Sequence, residues 1–288
     1  MTKNQMTLRI RRGFTMIELL VGIVIFAIVG ALFTRLLTVQ SKFFDRQGMG
    51  NAARNVSRAS LNRVVSDFRM IEATGGLIAA SPTSLTIRIP FAIGVVCKVV
   101  GGGTAVSLLP VDSTTYVNAD YYGYAWRNFL TGTYSYIEVG STKETGNPAD
   151  CASVFITTVV PGKNVLVKPA VPAGAGLGTP VFLYSRVRYD FKASTAVPGK
   201  LGLWRTQISN NGNEKTEELV APFANTAHWE FFTVNGGALP QANAPAALSD
   251  VRGLELHLDG MSETIAPGQV SNEKAPFTTA VYFKNRTN

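Results

Sequence analysis

The sequence is poor in charge and in the residues that usually carry out chemistry. Charged residues make up 16% of its 288 residues, against about 25% in typical soluble domains. It has two histidines and two cysteines, and it contains neither a Gly-x-Ser-x-Gly elbow nor a phosphate-binding loop. Hydrophobic residues reach 46%, which excludes a disordered tail or a long coiled coil. We therefore expect a protein that is not an enzyme, with no cofactor and no metal site.

The net charge of +8 is concentrated around one segment of the chain. Residues 1–13 hold four basic residues and no acidic one, and residues 35–73 hold seven basic and three acidic residues. Residues 74–288 are almost neutral, with sixteen basic and fifteen acidic residues. Nonspecific binding of nucleic acid depends on clustered positive charge, so nucleic acid is an unlikely partner.

Between the two basic regions lies a run of twenty residues, 14–33, whose single charge is Glu18. As a helix this run is about 30 Å long, the hydrocarbon thickness of a bilayer. A retained membrane helix over residues 14–34 is the favoured interpretation, with its basic N-terminal side in the cytoplasm. A secretory signal peptide cut after Ala31 is one alternative, and a buried core helix is another. An acid inside a membrane helix is costly and suggests a function.

The residues around Gly13 have a recognisable order: a short basic leader, a glycine, an aromatic residue, and a glutamate within an apolar run. They read Arg11-Arg12-Gly13-Phe14-Thr15-Met16-Ile17-Glu18-Leu19-Leu20-Val21. This stretch resembles the class III signal of type IV pilins and type II secretion pseudopilins. The resemblance implies that a prepilin peptidase removes residues 1–13 by cutting between Gly13 and Phe14 and methylates the new N-terminal Phe14. It also implies that Glu18 serves filament assembly.

Apolar residues at helical spacing continue beyond the membrane segment. They form one stripe of Leu61, Val64, Val65, Phe68 and Ile71. The stripe predicts a single helix over residues 14–73, whose second half packs on a head formed by residues 74–288. Just outside the membrane, Arg35, Lys42 and Arg46 face either lipid phosphates of the inner membrane or solvent.

Residues 74–288 read as an antiparallel β-rich head, which makes the fold class α+β and pilin-like. Short β-branched and aromatic runs alternate with Gly, Pro and Asn clusters. The predicted strands are 84–89, 95–100, 106–109, 134–139, 154–160, 165–167, 181–191, 201–208, 228–234, 253–258 and 278–283. The segments 202–205, 218–220 and 229–232 resemble PilW-type minor pilins and J-type minor pseudopilins.

Few residues of the head suggest chemistry. His228 and His257 lie in separate predicted strands and have no nearby histidine in sequence, which favours ordinary strand residues over metal ligands or a catalytic base. Cys97 and Cys151 form an even pair in an exported region, which favours one disulfide over two free thiols. The aromatic run 121–126 is either an adhesive surface or part of the core. Four loop carboxylates match no calcium-loop spacing; they are Asp112, Asp120, Glu144 and Asp150.

The sequence thus favours a PilW-like minor pilin that helps initiate or cap a type IV pilus. The alternatives are a J-like minor pseudopilin of type II secretion, and an adhesive or DNA-uptake minor pilin. The expected partners are other minor and major pilins or pseudopilins, the prepilin peptidase and inner-membrane lipid. The expected location is the inner membrane, crossed once with the head in the periplasm, and then the filament.

Overall fold

The computed structural model describes residues 15–72, 74–139 and 143–283. The described helices are α1 (Met16–Phe68), α2 (Pro110–Asn118) and α3 (Pro148–Ala152). The first strands are β1 (Leu77–Ala80), β2 (Ser84–Val100), β3 (Gly103–Leu108), β4 (Gly123–Arg127), β5 (Tyr134–Glu138), β6 (Glu144–Thr145) and β7 (Asn164–Val167). The later strands are β8 (Pro180–Ala193), β9 (Leu201–Ile208), β10 (Glu214–Phe223), β11 (His228–Thr233), β12 (Val251–His257), β13 (Gly260–Met261), β14 (Lys274–Ala275) and β15 (Thr278–Tyr282). The predicted α+β class, a long helix followed by an antiparallel β-rich head, is confirmed.

Two sheets build the head from the described strands. The larger has the order β14-β13-β10-β9-β8-β2-β3-β7-β6, with β1 added to β2 and the β4–β5 pair added to β8. The smaller has the order β11-β12-β15. Paired strands are antiparallel, and some that are consecutive in sequence, such as β2 and β3 or β9 and β10, are joined by short turns. This arrangement is the one that the alternation of strand and turn residues predicts.

The main core lies where the second half of α1 meets both sheets. Val64, Phe68 and Ile71 of the predicted stripe are fully buried. They pack among apolar side chains of β2, β8, β9, β11, β12 and β15, with Trp229 and Tyr189 in contact with the Phe68 ring. A second core joins α2 to β2, β3, β4 and β8.

The end of α1 differs from the prediction. The helix ends at Phe68 rather than at residue 73. The amides of Met70 and Ile71 bond to carbonyls three residues back, those of Asp67 and Phe68. Such bonds tighten the last turn of a helix, and here they leave Ile71 in the main core.

Several features of the head differ from the prediction. The runs 84–89 and 95–100 are one strand, β2, because a register shift next to Pro90 accommodates the proline within the sheet. Residues 154–160 are not a strand, since the amides of Val154 and Ile156 turn back to the carbonyl of Cys151. Residues 110–118 form the helix α2, which was not predicted although a proline at its first turn favours a helix start.

Candidate functional site

Glu18 closes a capping box at the start of α1. Its carboxylate Oε2 accepts hydrogen bonds from the backbone N–H and the hydroxyl of Thr15, at 2.9 and 3.0 Å. The Thr15 hydroxyl oxygen in turn accepts a bond from the Glu18 N–H at 3.3 Å. This reciprocal arrangement satisfies N–H groups that the first turn of a helix otherwise leaves unpaired. Among the described residues Oε1 of Glu18 has no hydrogen-bond donor, so one carboxylate oxygen is available to a group from another molecule.

Gly13 and Phe14, the predicted cleavage and methylation positions, lie outside the described residues. The capping box begins at Thr15, the second residue after the predicted cut. The bonds described for Glu18 thus come from a residue of the predicted mature chain.

The first half of α1 has no contacts that bury it. Every residue from Thr15 to Gly48 is exposed, although most of the first twenty are large and apolar. α1 is long and apolar enough to cross a membrane, and none of its most apolar 18-residue stretch is buried. A soluble protein rarely exposes so large a continuous apolar surface. Such a surface suits contact with lipid or with other helices.

The second half of α1 is fixed to the head by small side chains, by hydrogen bonds of Ser57 and by a polar contact at its end. Ala53, Ser57 and Ser60 are buried where the helix approaches β13 and β14. The Ser57 hydroxyl accepts a bond from the Gly260 N–H at 3.1 Å and donates to the Ala275 carbonyl at 3.3 Å. Because Gly260 has no Cβ, its strand comes close to the backbone of Ala53.

The polar contact joins the end of α1 to the large sheet. The Tyr189 hydroxyl on β8 donates to Asp67 at 2.5 Å, and Arg205 on β9 lies 3.5 Å from the same carboxylate oxygen. Burial and the neighbouring Asp67 carboxylate both raise the pKa of Tyr189. Arg205 is the last residue of the segment 202–205 that resembles minor pilins. In this structure its role is to orient α1 on the sheet.

The second resembling segment, 218–220, also has a structural role. The Glu218 carboxylate on β10 accepts bonds from the backbone N–H groups of Thr195 and Ala196, at 3.0 and 3.2 Å. It also accepts the hydroxyl hydrogens of Ser194 and Thr195. Burial alone raises the pKa of Glu218, but these hydrogen bonds lower it overall. The loop between β8 and β9 is thus tied to β10.

Cys97 on β2 and Cys151 on α3 are joined in the structure, with Cα atoms 4.8 Å apart. Both side chains are buried beside Ala105, with Val154 and Ile156 packed against them. The pair attaches α3 and the turns that follow it to β2, beside β3 in the large sheet. Its oxidation in the exported protein stays a prediction.

The other expectations about head residues have mixed outcomes. Tyr121, Tyr124 and Trp126 are buried, so the aromatic run belongs to the core rather than to an adhesive surface. In the described part of the chain, the four loop carboxylates form no cluster with metal-ligand spacing; Glu144 instead pairs with Lys168 at 2.7 Å. Arg46 pairs with Glu273 of the head at 2.8 Å, and so has a partner other than lipid or solvent.

The two histidines are closer than the sequence suggested. β11 and β12 pair so that His228 is directly opposite His257, and Glu230 is directly opposite Glu255. The two imidazole rings stack with centroids 4.2 Å apart. Sequence reasoning missed this group, because residues 29 positions apart come together only through strand register. An alternating His-x-Glu and Glu-x-His pattern on the two strands was the available signal.

Comparison with known proteins adds one match. The family described as the prokaryotic N-terminal methylation motif matches residues 8–34. No curated protein matches the chain, and no solved structure matches it. The matched residues contain the basic leader, the predicted cleavage position and Glu18, and they run into the exposed apolar half of α1. With this class III signal and a long N-terminal apolar helix on a β-rich head, the chain fits the superfamily of type IV pilins and type II secretion pseudopilins.

Proposed function

We propose that the protein is a minor pilin of the PilW-like type, which helps to initiate or cap a type IV pilus. The observation that carries this proposal is the class III signal at residues 8–34, followed by a helix half without any buried residue. In such a subunit, the apolar half is covered by lipid before assembly and by neighbouring helices afterwards. A head of more than 200 residues and its minor-pilin-like segments favour a minor subunit over a major one.

Processing comes first in the proposed sequence of events. The prepilin peptidase hydrolyses the peptide bond between Gly13 and Phe14, and the new amino group of Phe14 receives one methyl group. The basic leader then no longer holds the N-terminus on the cytoplasmic side. The mature chain crosses the inner membrane once and places its head in the periplasm.

Glu18 then selects the position of the subunit among its neighbours. A carboxylate within an apolar helix costs about 2–3 kcal/mol even on mild insertion scales. Its Oε2 is occupied by Thr15, whereas Oε1 is open to the methylated amino group of a subunit shifted along the filament axis. Bringing the two charges together reduces the cost of both being in an apolar environment. Pilins or pseudopilins, rather than a small-molecule substrate, are therefore the proposed partners.

The head acts in this proposal as a surface for subunit contacts and not as a catalyst. Its almost neutral charge argues against DNA uptake as its main role. Burial of the aromatic run removes the residues that first suggested adhesion. The J-like pseudopilin function shares every one of these features and differs only in the machine that the subunit serves.

Deletion of the gene in its own host separates the two machines. A minor pilin predicts loss of surface pili and of pilus-dependent motility, with secretion of exoproteins unchanged. Complementation with the wild-type chain restores pili, while Glu18→Val does not, although it is inserted and cleaved. Normal pili together with defective exoprotein secretion would contradict the pilus proposal and favour the pseudopilin.

A further inference from the structure

The outer face of the small sheet carries two histidines and two glutamates at adjoining register positions. His228 and Glu230 alternate on β11, and Glu255 and His257 alternate on β12. Side chains at alternate positions point to the same face of a sheet. The apolar residues between them, such as Trp229 and Leu256, face the main core on the other side. The four polar side chains are only 22–32% exposed.

Two distances between ligand atoms in this group are close to those found around a bound metal ion. Nε2 of His228 is 3.2 Å from one oxygen of Glu230, and Nε2 of His257 is 3.7 Å from the other. One ligand atom from each of these three residues lies within 4.8 Å of the other two. Ligand atoms about 2.0–2.2 Å from a tetrahedral zinc ion lie roughly 3.3–3.6 Å from one another. The two nitrogen–oxygen distances of 3.2 and 3.7 Å are thus close to the spacing of ligand atoms around a zinc ion.

The hydrogen bonds around the group leave acceptor atoms facing one another. Nδ1 of His228 is 2.6 Å from the carbonyl oxygen of Thr226. A carbonyl only accepts, so this nitrogen must carry a hydrogen, and in the neutral ring Nε2 then carries a lone pair. That lone pair faces the Glu230 carboxylate, which also only accepts. A cation between the two atoms removes this unfavourable contact.

His257 presents a second nitrogen to the same centre. Its Nε2 is shielded from solvent and has no hydrogen-bond partner in the described part of the chain, although it lies 3.2 Å from a carboxylate oxygen of Glu255. Its Nδ1 lies 3.4 Å from the Thr278 hydroxyl on β15. Contact of the second ring nitrogen with a carbonyl or hydroxyl is the arrangement that orients metal-binding histidines.

No Lys or Arg neutralises these carboxylates within the described residues. Every ion-pair partner of Glu230 and Glu255 there is one of the two histidines. The group therefore has two negative charges and no permanent positive charge. Imidazole and carboxylate together suit Zn²⁺ and neighbouring divalent transition metals better than Ca²⁺ or Mg²⁺, which prefer oxygen ligands alone.

We propose that His228, Glu230 and His257 form a binding site for a divalent transition metal, with zinc as the matching ion. Glu255 supplies either a fourth ligand or the acceptor that orients a bound water. The metal joins β11 to β12 on the face opposite Trp229, and so strengthens the sheet on which the end of α1 packs. Because a metal lies near the plane of an imidazole ring, binding turns the stacked rings away from their parallel arrangement.

Zinc titration of the full-length chain in detergent micelles tests this proposal. The chain is purified on an affinity tag without histidine, stripped with a chelator and titrated with ZnCl₂ at neutral pH. The expected result is one Zn²⁺ per chain with micromolar or tighter affinity, together with a rise of several degrees in the melting temperature. Binding weakens in acid, because the imidazoles must be neutral to act as ligands.

Substitutions identify the site and provide its control. Glu230→Gln keeps the size of the side chain, and His257→Gln keeps a polar group; each is expected to weaken zinc binding at least tenfold. Glu255→Gln has a smaller effect. Glu263→Gln, which changes an exposed carboxylate of the head, leaves the affinity unchanged. Melting of each variant without zinc shows that it has folded.

Histidine-selective ¹⁵N labelling gives an independent readout, since the chain has only two histidines. Zinc is expected to shift the Nε2 signals of both rings at one equivalent. Two outcomes overturn the proposal. One is histidine signals that respond to pH but not to micromolar zinc, which would mean that protons alone hold the group together. The other is stoichiometric zinc binding that persists unchanged in Glu230→Gln and His257→Gln.

Discussion

The two halves of α1 have the same backbone and opposite surroundings. From Thr15 to Gly48 all side chains are exposed, whereas from Ala53 to Phe68 every third or fourth side chain is buried in the head. Both halves satisfy their backbone hydrogen bonds internally, which is what allows a helix to pass from lipid to protein without interruption. The side chains therefore decide which environment each half occupies.

The two halves also differ in how they use size. The first half presents large apolar residues all round, which suits contact with lipid chains from any direction. The second half approaches the head with Ala53, Ser57 and Ser60, and only then with Val64 and Phe68. Small residues allow close approach at the point where the helix enters the head, and large ones fill the core beyond it.

Because the two halves lie in separate environments, a change in one half should leave the other half intact. This independence of the two halves can be tested.

The largest effect is expected from Glu18→Val in the exposed half. Removing the carboxylate eliminates the group that pairs with a neighbouring amine, and we expect incorporation into filaments to fall roughly tenfold or more. Incorporation is measured by crosslinking to partner subunits and by the amount of the variant in sheared filaments. Thr15→Val is the matched control, because it removes a capping hydroxyl but keeps the carboxylate. Unchanged crosslinking of Glu18→Val would contradict neighbour pairing.

Replacing both Cys97 and Cys151 with Ser affects only the head. The bridge closes a loop of 54 residues, for which the chain-entropy model gives about 4 kcal/mol of stabilisation. We expect the melting temperature of the head to fall by roughly 8–16 °C, while membrane insertion is unchanged. Two titratable thiols in the protein isolated without reductant, and no change in melting on reduction, would exclude the bridge.

Gly260→Ala tests the close approach of the second half of α1. A Cβ at this position overlaps the backbone oxygen of Ala53 and the Ser57 hydroxyl, and such overpacking costs about 1–3 kcal/mol. We expect a lower free energy of unfolding, measured by denaturant titration. Gly176→Ala is the matched control, because no atom lies within 4 Å of its added Cβ. Equal stability of both variants would show that the helix does not depend on this contact.

Alkaline pH should destabilise the head through the ionisation of its buried tyrosines, which stay protonated at neutral pH. Burial raises the pKa of Tyr116, Tyr124 and Tyr184 to about 12 each, whereas an unfolded tyrosine loses its proton near pH 10. Folding thus favours the protonated form. The stability that these groups contribute is complete below about pH 10 and is lost as the pH rises towards 12. Tyrosinate absorbance, followed together with circular dichroism, measures tyrosine ionisation and unfolding in the same sample. Ionisation of all tyrosines near pH 10 with the fold intact would contradict this prediction.

The sequence predicted the parts of this molecule that depend on local pattern. The spacing and length of apolar runs alone predict the membrane-length segment and the class of the head. They also predict the burial of Val64, Phe68 and Ile71. The burial of Ser57 and Ser60 was missed because a serine gives no apolar signal. Ser57 becomes a contact residue because Gly260 lies opposite it. β10 was missed because its first residues are charged and exposed on both faces.

The group at His228 and His257 shows a different limit. Each residue was located in a strand, but the register of β11 against β12 depends on how the core residues between them pack. A single-residue shift of β12 against β11 would place the two histidines on opposite faces of the sheet from each other. Sites assembled across strands in this way become visible only when the pairing is known. The residues in the class III signal, by contrast, are contiguous and act through their order along the chain.

The most direct test of the whole account is the intact mass of the mature protein isolated from its host's membrane. The account predicts a chain that begins at Phe14 and carries one additional methyl group at its N-terminus. That result establishes the leader, the processing enzyme class and the position of Glu18 in the mature helix. A chain that begins at Leu32, as removal of a secretory signal would give, or one that still carries the residues before Phe14, would contradict it.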